Sequence, residues 1–197
     1  MEILTGAGLA ASSGLNAYIP LLVLGLLDRF TGLVTLPSGF GWLSNGWVLG
    51  ILGVLLVLEV VADKIPAVDS VNDWIQTVVR PTSGGIVFGA GSASQTATVT
   101  DPASFFTSQQ WVPIVVGVVT ALAVHVVKAT ARPVANAASV GTAAPVLSTA
   151  EDASAVVLSF AAVLIPVLVL VVLVVVVVGL GLLYRSFRRR RRARSTA

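Results

Sequence analysis

Leu58-Glu59-Val60-Val61-Ala62-Asp63-Lys64-Ile65-Pro66, followed by Asp69, Asp73 and Arg80-Pro81, is the stretch that decides the reading of this chain. Apolar residues run up to it, and then Glu59, Asp63 and Lys64 arrive within six positions. Charge at the end of a membrane-length apolar run is expensive, and it marks a functional site by default. Glu59 and Asp63 are four residues apart, so a helix places both carboxylates on one face. Pro66 ends that helix and biases Ile65 away from the α region.

The surrounding composition agrees. Of 197 residues, 56% are hydrophobic and 11% charged, against about 25% charged in an ordinary soluble domain. Mean hydropathy is +0.96. These values predict an all-α, polytopic transmembrane bundle of four to five spans, with broken or re-entrant segments. Residues 1–184 read as a single integral membrane domain and 185–197 as an Arg-rich tail. That tail holds seven of the twelve Lys/Arg; the other five face nine Asp/Glu, so the basic balance belongs to the tail. Such a run directly after an apolar helix predicts a cytoplasmic C-terminus and contact with anionic lipid head groups, with nucleic acid the weaker reading. The expected setting is the plasma membrane, multi-pass, with a homo-oligomer allowed.

Outward from the opening stretch, Ile3 to Leu27 reads as one span interrupted around Gly14-Leu15-Asn16-Ala17-Tyr18-Ile19-Pro20. It is either a tightly packed helix kinked by Pro20 or a broken helix lining a cavity. Glu2 at its start and the lack of a basic leader distinguish it from a signal peptide. Thr31 to Trp47 reads as an interfacial loop with aromatic anchors. Gly46, Gly50 and Gly53 predict a helix–helix seam on the second span. Val68 to Val79 has the period of a short amphipathic helix, with Asp69, Asn72, Asp73, Gln76 and Arg80 on its polar side. Asp69 and Asp73 there serve equally as caps or as an acidic cluster. Gly84 to Ser92 reads as a half-length or re-entrant segment, and Gln95 to Gln110 as a loop.

The third span, Trp111 to about Thr130, carries the only histidine, His125, with Lys128 and Arg132 on the same face. Ser148-Thr149-Ala150-Glu151 matches a capping box before a last span, Ala153 to Leu183, kinked at Pro166. A faint internal repeat joins Glu59-Val60-Val61 and Arg80-Pro81 to His125-Val126-Val127 and Arg132-Pro133. The acids of the first half can pair with His125, Lys128 and Arg132 inside the bundle. In a simple four-span topology, however, the two charged ends fall on opposite faces. They meet only if a re-entrant segment intervenes or if the segment near Gly84 spans.

The runs Gly14 to Leu22, Leu58 to Pro66 and Arg80-Pro81, with Asp69, resemble a bacterial family of small membrane proteins described as a domain of unknown function. His125, Lys128, Arg132 and Ser148 to Asp152 sit where its second half carries similar residues. The resemblance implies a multi-pass inner-membrane protein and no reaction.

No enzyme constellation is present: there is one His, no Cys, no Walker loop and no paired zinc histidines. No cofactor or metal is expected, although acids at Glu59, Asp63, Asp69 and Asp73 could in principle offer oxygen ligands. The expected function is a small transporter or channel using Asn16, Glu59, Asp63, Lys64, Asp69, Asp73, Arg80, His125, Lys128 and Arg132. The alternative is a non-transporting membrane protein that binds lipid or a partner, its charges serving the fold.

Overall fold

A computed structural model describes residues 2–92, 111–139 and 143–171, with Val174, Val175 and Val178; for Pro66, Ala67, Asp69, Ser70, 134–138 and Ala143 only the backbone is described. The Arg-rich tail and the 95–110 loop lie outside the described residues. Among the described residues every regular element is helical: α1 (Glu2–Leu15), α2 (Tyr18–Phe30), a 3-10 helix (Ser38–Ser44), α3 (Gly46–Ala62), α4 (Pro66–Gly91), α5 (Trp111–Ala138), α6 (Ala143–Leu164) and a second 3-10 turn (Pro166–Leu168).

Successive helices alternate in direction, as their contacts show. Gly6 of α1 meets Phe88 of α4, while Ser13 bonds Ser83, so the two helices run antiparallel. Gly8 meets Ala162 of α6, while Ser12 reaches Ala155 and Ser159. Along α4 and α5, Gly89 approaches Ile114, Gly84 approaches Gly117 and Ala121, and Arg80 reaches His125. The chain turns back at Asn16-Ala17: Gly25 of α2 lies against Leu43 and Leu49, and Phe40 of the same 3-10 helix lies against Gly89. Helices α1, α3 and α5 therefore point one way, and α2, α4 and α6 the other.

Three local expectations change here. The break in the first segment falls at Asn16-Ala17. Pro20 sits in the first turn of α2, where its missing N–H costs no intrahelical bond, so it does not kink the segment. The amphipathic stretch and the Gly84–Ser92 segment are one helix of 26 residues with Pro81 inside it, about 39 Å long. That continuous α4 resolves the topological conflict. It returns the chain across the full height of the bundle and leaves the charged ends of α3 and α5 on the same side. Likewise α5 continues through Pro133 to Ala138. The kink at Pro166 is present as a break after Leu164. The two halves of the sequence echo occupy different elements: Glu59 and Arg80-Pro81 fall on consecutive helices, His125 and Arg132-Pro133 on one.

Beside an apolar core around Leu9, Leu24, Leu43 and Val87, the charged ends of α3 and α4 are inverted relative to a water-soluble domain. On α4, Val71, Trp74 and Val78 point outward, Trp74 being 81% exposed, whereas Gln76 is 2% and Arg80 0% exposed. A short amphipathic helix lies either at a membrane interface or packed on the bundle; here it is part of α4, and its polar residues Gln76 and Arg80 face the interior. On α3, Ile51, Val54, Val57 and Leu58 are exposed and Glu59 is buried. Two helical stretches, Trp111–Pro133 and Ala144–Leu164, are long and apolar enough to cross a membrane. A third is added if Ser38–Ser44 and Gly46–Ala62, bent by 62°, are one broken span.

Close backbone approach holds the end of the bundle away from the charges. A Cβ on Gly84 would lie 2.4 Å from the Ala121 Cβ and 2.8 Å from the Gly117 carbonyl oxygen; one on Gly117 would lie 2.3 Å from the Gly84 carbonyl oxygen. Gly14 packs in the same way on Ala121 and Val124. Among the described residues nothing packs on the expected seam of α3: a Cβ on Gly50 or Gly53 would meet none of them within 4 Å. Small residues matter where lipid offers no hydrophobic drive for helix association. Gly84→Ala and Gly117→Ala should therefore destabilise the protein by roughly 1–3 kcal/mol through overpacking. Gly50→Ala should be neutral or stabilise by up to about 1 kcal/mol through helix propensity. Thermal unfolding in one detergent checks all three.

Candidate functional site

Three changes of chain direction converge at one end of the bundle. The α1–α2 break brings Asn16, the α3–α4 turn brings Asp63, and the long α5 places His125, Lys128 and Arg132 beside them. Asn16 makes the break possible. Its side-chain oxygen accepts from the backbone N–H of Tyr18 (3.0 Å) and Ile19 (3.2 Å), capping α2. Its amide donates to Asp152 of α6 (3.0 Å). The Leu15 carbonyl, freed at the end of α1, accepts from Lys128 Nζ (2.9 Å), and the Ala17 carbonyl, which opens α2, accepts in addition from Ser83 Oγ (2.5 Å). A cation at the C-terminal end of α1 also complements the helix dipole.

Arg80 is the centre. Its side chain is fully buried, and Nη2 lies 2.8 Å from Glu59 Oε1 and 3.6 Å from Asp63 Oδ2. On the other side Nη1 lies 3.1 Å from His125 Nδ1 and 4.0 Å from Asp73 Oδ1. An arginine can only donate, so Nδ1 of His125 is the acceptor and the ring hydrogen sits on Nε2. That nitrogen donates to Thr77 Oγ1 (3.1 Å), which in turn donates to the Asp73 carbonyl (2.8 Å).

Asp63 is the second node. Its Oδ2 faces Lys128 Nζ (3.3 Å) and Arg132 Nη2 (3.2 Å), and Oδ1 accepts from Asn72 (2.7 Å). Burial alone would push this carboxyl up. Lys128, Arg132 and Arg80 outweigh burial and hold it below the ordinary aspartate value. Glu151 of α6 completes the network, pairing with Lys128 (3.1 Å) and, through both carboxylate oxygens, with Arg132. Among the described residues the ion pairs join four carboxylates (Glu59, Asp63, Asp73, Glu151) to three cations (Arg80, Lys128, Arg132).

Of the residues singled out from sequence, Asn16, Glu59, Asp63, Asp73, Arg80, His125, Lys128 and Arg132 come together here. Lys64 does not: its Nζ folds back onto the Val60 carbonyl (3.2 Å). Asp69 lies in α4, and its side chain is outside the described residues. Glu151 and Asp152 were missed as site residues. Helix α6 begins at Ala143, so Ser148 is inside it and caps nothing, and Glu151 is released to the network. An acidic pair entering an apolar run was the available signal. Asn72 and Thr77 were visible only as the polar side of α4.

A groove of about 380 Å³ reaches the cluster from outside, lined by Asp73, Trp74, Thr77, His125, Ala129 and Pro133. A larger groove of about 540 Å³, between Leu15, Val157, Leu158 and Leu168, is apolar, and no charged residue lines it. Among the described residues no three His, Cys, Asp or Glu side chains are placed to hold a metal ion.

None of the curated proteins or solved structures compared with the chain matches it. One family model does match, described as "Domain of unknown function (DUF4126)", over residues 3–186. The match takes in every member of the charge network. The chain belongs to this family.

Proposed function

We propose that this chain is a multi-pass protein of the cell membrane that acts as a small transporter or channel through its buried ionisable residues. In this reading α3, α4, α5 and α6 cross the bilayer. Helices α1 and α2, about 21 Å and 20 Å long, enter as a re-entrant hairpin whose tip is Asn16-Ala17. The Arg-rich end lies on the cytoplasmic side against anionic lipid. The protein works without a cofactor and catalyses no covalent step.

One observation carries the reading. A network of four carboxylates and three cations is buried at the tip of a broken helix pair, and a groove opens onto it at Asp73 and His125. Each buried charge costs several kcal/mol in desolvation even after relaxation. A fold that needed only rigidity could fill the space with apolar side chains at lower cost. Broken helices with free termini at an ion site are the device by which membrane transporters bind and release charged solutes.

In vesicles reconstituted with the protein, a panel of inorganic ions followed with pH- and potential-sensitive dyes should show flux above protein-free vesicles. Glu59→Gln and Asp63→Asn should return it to the protein-free level. Equal flux in native and variant vesicles would sink the transport reading.

The second reading is a non-transporting protein whose ion pairs serve the fold, with lipid or a partner as its ligand. It is favoured by the near saturation of Asp63, which meets three cations and Asn72. Breaking a buried pair costs about 3–5 kcal/mol, because a charge is left alone, whereas replacing both members is near neutral. Arg80→Met should therefore destabilise by that amount, and Arg80→Met with Glu59→Met should recover most of it, as read from unfolding in detergent. Recovery of stability without any ion flux in the native protein selects this second reading.

A further inference from the structure

The network is not balanced at its α4 end. Four carboxylates meet three cations among the described residues, leaving one negative charge unmatched. The acids around Lys128 and Arg132 are well served: Asp63 faces both and Arg80, and Glu151 faces both. The shortfall lies where Arg80 alone serves Glu59 and Asp73.

Among the described residues, four of the five buried side-chain atoms left without a hydrogen-bond partner belong to α4 or to Glu59; the fifth, Ser148 Oγ, lies on α6. Glu59 Oε2, Gln76 Oε1 and Asp73 Oδ1 are buried acceptors with no donor, and Arg80 Nε is a buried donor with no acceptor. Glu59 and Gln76 are 3% and 2% exposed. Asp73, Gln76 and Arg80 are spaced three and four residues apart on one face of α4. Three orphaned acceptors around one guanidinium ask for a donor, since a buried acceptor left unsatisfied keeps its full desolvation cost. The guanidinium excludes a metal cation by repulsion. A proton on a carboxyl oxygen, delivered through water, supplies one positive charge and one donor and needs no coordination shell.

We infer that Glu59 is a one-proton site, loaded through the groove at Asp73, Thr77 and His125. The acidic member at the mouth is Asp73, half-buried and open to the groove. The acid at the inner end is Glu59, whose Oε1 stays bonded to Arg80 while Oε2 takes the proton. The charged and titratable groups facing Glu59 are Arg80 and Asp73 of α4, Asp63 beyond α3, His125 and Lys128 of α5 and Tyr18 of α2. No other acid in the network combines this burial with an unbonded oxygen. Asp63 has both oxygens engaged, and Glu151 has both on Arg132. This inference deepens the transport reading by naming the species bound, and its test does not need transport.

Infrared difference spectra of the full chain in lipid vesicles, taken between acidic and alkaline pH, are the measurement. Beside the broad absorption of its other acids, native protein should show one narrow protonated-carboxyl band, from a buried acid, that is lost on raising the pH. The band should vanish in Glu59→Gln and persist at a shifted frequency in Glu59→Asp, which keeps an acid should the Gln variant fail to fold. No titrating band in the native protein, a band surviving in Glu59→Gln, or an unshifted band in Glu59→Asp would overturn the inference. A titrating Glu59 band in a protein that moves no ion overturns transport and leaves the proton site standing. Ion flux with no such band does the reverse.

Discussion

A guanidinium without solvent has to be supplied with partners by the fold, and Arg80 is that group here. It sits on α4, but α4 offers it only Asp73 at 4.0 Å. The close partners come from elsewhere: Glu59 from α3 and His125 from α5. Three helices must therefore end, or pass, at one level. Pro66 starts α4 immediately after the Asp63 turn, and Ile65 takes the extended conformation that a residue before proline prefers. That tight turn keeps Glu59 and Asp63 within reach of a helix that then runs back across the whole bundle.

The same requirement accounts for the break at Asn16-Ala17. The Leu15 carbonyl released there is taken by Lys128, and Ser83 adds a bond to the Ala17 carbonyl that opens α2; both side chains are already held in place by α5 and α4. Lys128 thus joins the hairpin tip to Asp63 and Glu151, so backbone and ion network share one cation. Asn16 does the complementary task on the donor side, satisfying two N–H groups of α2 while binding Asp152. The break and the charges support each other.

Much of the site was legible because charge in an apolar sequence is conspicuous. Glu59, Asp63, His125, Lys128 and Arg132 stood out by type and position alone, and their pairing followed from sign. What was not legible depended on direction in space. The period of Val68 to Val79 defined two faces of a helix, but periodicity cannot say which face points inward. In water the valines would be buried, and here Arg80 and Gln76 are. Ser148 and Glu151 fitted a helix start because the capping box is a local pattern, and a helix already running from Ala143 leaves it no end to cap. Gly50 and Gly53 had the spacing of a seam and face open space. Gly84 and Gly117 make the real one, and no rule of spacing within a single helix links two glycines on different helices.

The two ends of the bundle are held by different forces, and helices apolar enough to cross a membrane would need both there. Between apolar helices in lipid, burying a leucine gains little, because lipid tails are as apolar as the neighbouring helix. At the end where Gly6, Gly84, Gly89 and Gly117 lie, association rests on backbones close enough that one added methyl would collide. Such contact is short-ranged and leaves no room for a long polar side chain. At the other end the helices are spaced for Arg80, Lys128 and Arg132, and attraction between opposite charges acts across that wider gap. Pairing there is strong because the surroundings are poor in water, and for the same reason an unpaired member is costly. The glycine end thus sets how the helices approach, and the charged end sets which register they adopt.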